Sequence, residues 1–301
     1  MLAWLSSLRR APQRPPVATT TPLPGPASAL VPADIAPVSA PSALSWLLDG
    51  PTPHEEQPTP MERQLLRSLD RQLDAPALSG DLLPRAPSVI PQLIALLRQA
   101  QPPRAAMVQQ VLKDMLLTAE VLRLARSPYY GSLPVETLEA ALDRIGTVGL
   151  QSAMSRVLVK PVYHATSGSL MARAAPRLWL HAEHKAMICA ELVARDGGDR
   201  FEGFLAGLMH DTGWLALLRL LDRQQLTPSL PSSLAFDAAL DARKDRLFGR
   251  LTAEWDLTSA LTALSRHLSE GQGNTNPPPL ASALHAADRR CTAELAGTPE
   301  R

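Results

Sequence analysis

The chain is expected to be all-α, and three observations predict this. Its 301 residues are 45% hydrophobic but only 4% aromatic, so a core must be built from Leu, Ala, Val and Ile. Apolar residues recur at spacings of three and four through most of the chain, and no hairpin or alternating run breaks the pattern. Glycine and proline punctuate the periodic segments at helix-length intervals.

The elements follow in order. Residues 1–60 are expected to be a disordered Pro-rich tail. Thirteen of the 29 prolines lie there, and a segment without apolar periodicity cannot offset its ordering entropy. The start, ending in Arg9 and Arg10, has the reverse order of a secretory signal, whose charge precedes its apolar run. Ser42–Leu48 is an apolar island, read as a transiently helical patch. Order is expected from Met61, where Leu65, Leu66, Leu69 and Leu73 share a stripe. An extended lead-in over 82–90 passes into a helix to about Gln99. Helices are then predicted over 104–115, 117–126 and 135–144, the last stopped by Gly146, and over 149–162. The second half predicts helices over 176–195, 201–222, 233–249, 251–267 and 280–296, with a Gly/Asn/Pro loop at 271–279.

Composition narrows the function classes. A net charge of +1, with both signs interspersed, gives no basic field for nucleic acid. No stretch has the length and apolarity of a membrane span. Cys189 and Cys291 fall in helical patterns and read as reduced thiols, which implies a cytoplasmic protein.

The residues with chemistry cluster late. His210-Asp211 closes an apolar run and is flanked by Gly207 and Gly213, positions where a helix packs closely or turns. Both are metal-ligand types. On a helical wheel His181 lies at the edge of the stripe formed by Leu178, Ala182, Ala186 and Cys189, either as a ligand or as a hydrogen-bonded core residue. His184 falls on the opposite flank, facing water. Asp288 shares an inner stripe with Leu284, Cys291 and Leu295. A buried carboxylate needs a partner; His181, His210 or a metal is expected, rather than Arg289 or Arg290. His285 stands one turn before Asp288, toward the same cleft. His267 ends a helix, where an imidazolium is favourable without any metal. Lys185 sits near His181 as a weaker ligand-binding candidate that could meet a phosphate, although such a lysine more often snorkels outward.

Several motifs occur together in one order: Leu83-Pro84 with Pro87, Leu122–Gly131, Ala140–Gly146, Trp179 and His181 with Ala186, and Gly207–Gly213. Their combination resembles the HDOD (HD-related output domain) family of bacterial signalling proteins, within the HD-like superfamily. The resemblance implies a two-lobed helical module over 61–296. An amino-terminal lobe would span 61–165 and an HD-like lobe 166–296. It also implies a non-catalytic regulatory role, binding a signalling partner protein or a nucleotide-type ligand. The alternative is a metal-dependent phosphohydrolase of a nucleotide or cyclic dinucleotide. In that case His181, His210, Asp211 and Asp288, and more weakly His267, would hold one Mn, Fe, Mg or Zn ion. Departures favour the non-catalytic role. Trp214 stands where the related cyclic di-GMP hydrolases carry a lysine, and Asn274-Thr-Asn-Pro replaces their Gly-Tyr-Pro loop. Arg266 and Leu268 flank His267, where those enzymes pair histidines.

Overall fold

The computed structural model describes residues 42–297, except 54–55, 77, 79–81, 83–107, 109–110, 113, 132–133, 165–167, 254–256 and 271–276. The expected tail up to residue 41, the lead-in and helix from 83 to 99, most of the 104–115 helix and most of the 271–279 loop lie outside the described residues.

Among the described residues the regular structure is helical. The helices are α1 (Ala43–Leu47), α2 (Pro60–Leu73), α3 (Met115–Ala125), α4 (Leu138–His164), α5 (Ser169–Arg195), α6 (Arg200–His210), α7 (Thr212–Arg223), α8 (Leu234–Thr252), α9 (Ser259–Glu270) and α10 (Pro279–Ala296). A 3-10 turn, Pro128–Tyr130, follows α3.

Two cores form. The smaller gathers Val121 and Leu124 of α3 with Ala141, Leu142 and Ile145 of α4. The larger is shared by α1, α2, the end of α4, and α5 to α10. α4 runs from one core to the other. The predicted glycine stop survives inside it, because Gly146 adopts φ 63°, ψ −169°, outside the helical region and accessible to a residue without Cβ. Arg156 of α4, almost fully buried, ties the two cores. Its Nη1 donates to Glu183 of α5 at 2.8 Å and lies 3.6 Å from Glu120 of α3.

The island Ser42–Leu48 is more than a transient patch. Ser42 caps α1 by accepting from the Ser45 N–H, and Leu44, Leu47 and Leu48 are 1%, 2% and 1% exposed. Arg177 clamps the helix, donating to the Trp46 carbonyl at 2.8 Å and to Asp49 at 3.0 Å. The short helix is held by tertiary burial, which composition around it could not reveal. α2 carries a capping box between Thr59 and Glu62, and Glu62 also accepts from the N–H and hydroxyl of Ser233. α2 therefore packs on α8, in the second half of the chain.

α5 begins seven residues before Pro176, where sequence placed its start. Pro176 lacks an N–H, but Leu170, Met171 and Ala174 upstream are buried in the large core and carry the helix through it. The single helix expected over 201–222 is two, α6 and α7, joined at Asp211. Two glycines make the packing there possible. A Cβ on Gly207 would stand 2.7 Å from the Ala186 Cα on α5, and one on Gly213 would stand 2.4 Å from the Lys244 carbonyl on α8. These close approaches set α5, α6, α7 and α8 around one buried space.

Candidate functional site

That space holds the chemistry. His181, one turn before Lys185 on α5, comes within 2.7 Å of the Asp211 Oδ2 through Nδ1 and within 3.1 Å of the Thr292 hydroxyl through Nε2. Lys185 Nζ donates to Asp211 Oδ1, to Asp288 Oδ1 at 2.7 Å and to His210 Nδ1 at 3.0 Å. Because an ammonium only donates, His210 Nδ1 must accept. The ring proton then sits on Nε2, which donates to Asp245 Oδ1 at 2.8 Å. Asp245 Oδ2 in turn meets His285 Nε2 at 3.0 Å. A second ammonium, Lys244 Nζ, reaches Asp288 Oδ2 at 2.8 Å, Asp241 at 2.7 Å and Asp245 at 3.2 Å. Each ammonium thus has three acceptors for its three protons, and Asp288 bridges the two lysines. His210, Asp211, Lys185 and Lys244 are fully buried, with His181 at 2% and Asp288 at 8% exposure.

The structure brings His181, His210, Asp211 and Asp288 together. His267 is elsewhere on α9, with its Nδ1 buried and, among the described residues, without a hydrogen-bond partner. His184 is partly exposed and pairs with Glu294 at 2.6 Å. The expected outward snorkelling of Lys185 is corrected: its side chain points inward, because two buried carboxylates reward the charge more than solvent would. The expected partners of Asp288 are extended: His210 Nδ1 lies 3.7 Å away, and Lys185 and Lys244, which were not expected, lie closer. Sequence reasoning missed Lys244, Asp241 and Asp245. The signal was there, since Phe236, Leu240, Lys244 and Leu247 follow spacings of four, four and three and put Lys244 on a buried stripe.

Electrostatics follow from this pairing. Burial is the largest single influence on Asp211 and Asp288 and opposes their charges, but Lys185 and His181 together outweigh it at Asp211, and Lys185, Lys244 and His210 together outweigh it at Asp288. Both carboxyls are held below the usual range. Burial likewise opposes Asp245, and Lys244 and His210 overcome it. Lys185 and Lys244 resist deprotonation: burial works against their charge, and Asp211 and Asp288 at Lys185, and Asp241 and Asp245 at Lys244, more than reverse it. Depressed carboxyls contribute stability that is present above their unfolded value, 3.8, and is lost as pH falls through the folded values. Raised lysines contribute stability that is present below 10.5 and is lost as pH rises through the folded values. The expected urea midpoint is therefore level across neutral pH and falls below about pH 4 and above about pH 10. A steep loss between about pH 5 and 8 would contradict this.

One ligand-type atom from each of His181, Asp211 and Asp288 lies within 4.8 Å of the other two, a spacing that could hold an ion. The Lys185 ammonium, however, already bonds the oxygens of both carboxylates. A divalent ion within about 2 Å of those oxygens would crowd and repel it. The donor set and the resident lysine together do not fit a metal.

The HDOD domain family model matches residues 83–270. The chain belongs to the HDOD family. Two solved structures share the fold of this HDOD protein. One is an HDOD domain protein of unknown function from Geobacter sulfurreducens, 20% identical over 76% of each chain, with a TM-score of 0.51. The other, named a "putative metal-dependent phosphohydrolase", is from Shewanella amazonensis SB2B. It is 18% identical over 76% of this chain and 82% of that one, with a TM-score of 0.54. A search of curated proteins finds no match. Among the described residues, no helix is long and apolar enough to cross a membrane.

Proposed function

We propose that this HDOD protein is a non-catalytic signalling module of the bacterial cytoplasm, which acts by binding a partner protein or a small ligand. The observation that carries the reading is Lys185. Its ammonium stands among the residues that an HD-type hydrolase would offer to a metal, and bonds Asp211, Asp288 and His210 at once. A lysine there supplies the positive charge that the carboxylates need. It supplies no open coordination position for a water or a phosphoester oxygen, which metal-assisted hydrolysis requires. Trp214, in place of the lysine of cyclic di-GMP hydrolases, supports the same reading. We further place α1 within the working module, upstream of the start expected at residue 61, because its leucines belong to the large core.

The spacing of His181, Asp211 and Asp288 favours the competing reading, a metal-dependent phosphohydrolase. One experiment separates the two. The purified protein should carry well under one equivalent of Mn, Fe, Mg or Zn and should not turn over cyclic di-GMP with any of these ions added. Stoichiometric metal, with turnover abolished by His210→Ala and Asp211→Ala, would establish the hydrolase.

A further inference from the structure

The outer face of α2 carries charge that the fold does not use. Leu65, Leu66, Leu69 and Leu73 are buried on one side of the helix, and Arg63, Arg67 and Arg71 stand exposed on the other, one turn apart. Side chains four apart on a helix are neighbours, so each arginine meets a like charge where a glutamate would have helped the helix. Arg63 also stands near the amino-terminal end, where the helix dipole disfavours a cation. Its guanidinium donates to the Pro58 carbonyl. Neither helix propensity nor core packing calls for this row.

The acceptors nearby are already taken. Glu62 turns inward and accepts from Thr59 and Ser233. Asp70 accepts from two nitrogens of Arg243 at 2.6 and 2.9 Å, and Asp74 accepts from Arg246 at 2.8 Å. Arg250 donates to the carbonyls of Leu73, Ala75 and Pro76, at the carboxy-terminal end of the helix. Three arginines of α8 thus occupy the anionic groups of α2, and the three of α2 itself are left over. Among the described residues, Arg63, Arg67 and Arg71 have no carboxylate within ion-pair distance.

We infer that this row docks an acidic segment of a partner protein. Residues four apart on a helix repeat at about 6 Å along its axis. Carboxylates one turn apart on a partner helix, or at alternate positions of an extended strand, meet that spacing. Arginine suits the role, because its planar guanidinium grips a carboxylate through two N–H groups. A nucleic acid fits less well, since α2 has no aromatic ring on which a base could stack. A membrane fits less well too, since Met61 is the single exposed large apolar side chain of the helix. The inference deepens the proposed function by giving the partner its chemistry, and rests on that reading only in taking the protein to act by binding.

The test uses the full chain and fluorescein-labelled poly-L-glutamate at low ionic strength, followed by anisotropy, with an oligothymidylate and phosphatidylglycerol vesicles as competing probes. Poly-L-glutamate should bind with a dissociation constant below about 1 mM. The variant Arg63→Gln, Arg67→Gln, Arg71→Gln should lose at least about fivefold in affinity. A control of equal net charge, Arg173→Gln, Arg266→Gln, Arg289→Gln, removes exposed arginines of α5, α9 and α10 and should stay within about twofold of the parent. The thermal midpoint of the row variant should fall by no more than about 3 °C, because the row does not hold the fold together. If it falls further, Arg67→Gln with Arg71→Gln, which keeps the Pro58 contact, decides: weaker binding at the parental midpoint supports the inference, and parental binding overturns it. The inference also falls if poly-L-glutamate does not bind in that range, or if the row variant and the control lose affinity alike. Tighter binding of the oligothymidylate or the vesicles, lost in the row variant, would give the surface to a nucleic acid or a membrane instead. Each of these failures leaves the Lys185 reading standing, since metal content and hydrolysis measure that separately.

Discussion

Lys185→Ala is expected to cost about 3–5 kcal/mol in the absence of divalent ions, because Asp211, Asp288 and His210 are left in a buried space without their cation. Added Mn or Zn should return much of that loss. Removing the side chain vacates the point between ligand atoms that already lie within 4.8 Å of each other. The parent protein should show no comparable response to either ion. Urea unfolding of both proteins, with and without metal, measures this. A variant as stable as the parent without metal would mean that the ammonium is not the charge the cluster depends on. A parent stabilised by metal as strongly as the variant would return the site to metal chemistry.

The second large effect concerns α1. Leu44→Ala and Leu47→Ala should each destabilise by about 2–5 kcal/mol, since both side chains are almost fully buried in the large core. The double variant should depart from simple addition, because the two side chains share one core. Chemical denaturation gives the values, and a cost under about 1 kcal/mol for both would show that the helix is not packed as described.

Much of the fold was legible in sequence, for a physical reason. Helices of the second half bury a stripe, and a buried stripe leaves its period in the residues: α8 and α10 fall close to their predicted spans, whereas α9 begins at Ser259 and not at 251, because α8 continues to Thr252. Where local pattern and tertiary contact part company, sequence reading missed. Ser42–Leu48 is too short to show a period, and its leucines are understood only against α5, α8 and α10. The division at Asp211 is hidden because the apolar run continues across it. At the site, the inner placement of Asp288 and the edge placement of His181 could be read from the wheel, while the partner of Asp288 could not. A lysine on an apolar edge is ordinarily drawn to solvent, and only the meeting of α5 with Asp211 and α10 reverses that for Lys185.

A metal centre makes the folded population depend on supply: stability rises with the ratio of free ion to its dissociation constant and fades when the ion is withdrawn. A cation carried on the chain has no such dependence. Lys185 and Lys244 arrive in a fixed ratio to the carboxylates they neutralise, made with them in the same translation. Chelation, metal starvation or mismetallation, each of which empties or poisons a bound-ion site, has no purchase on a charge that cannot dissociate.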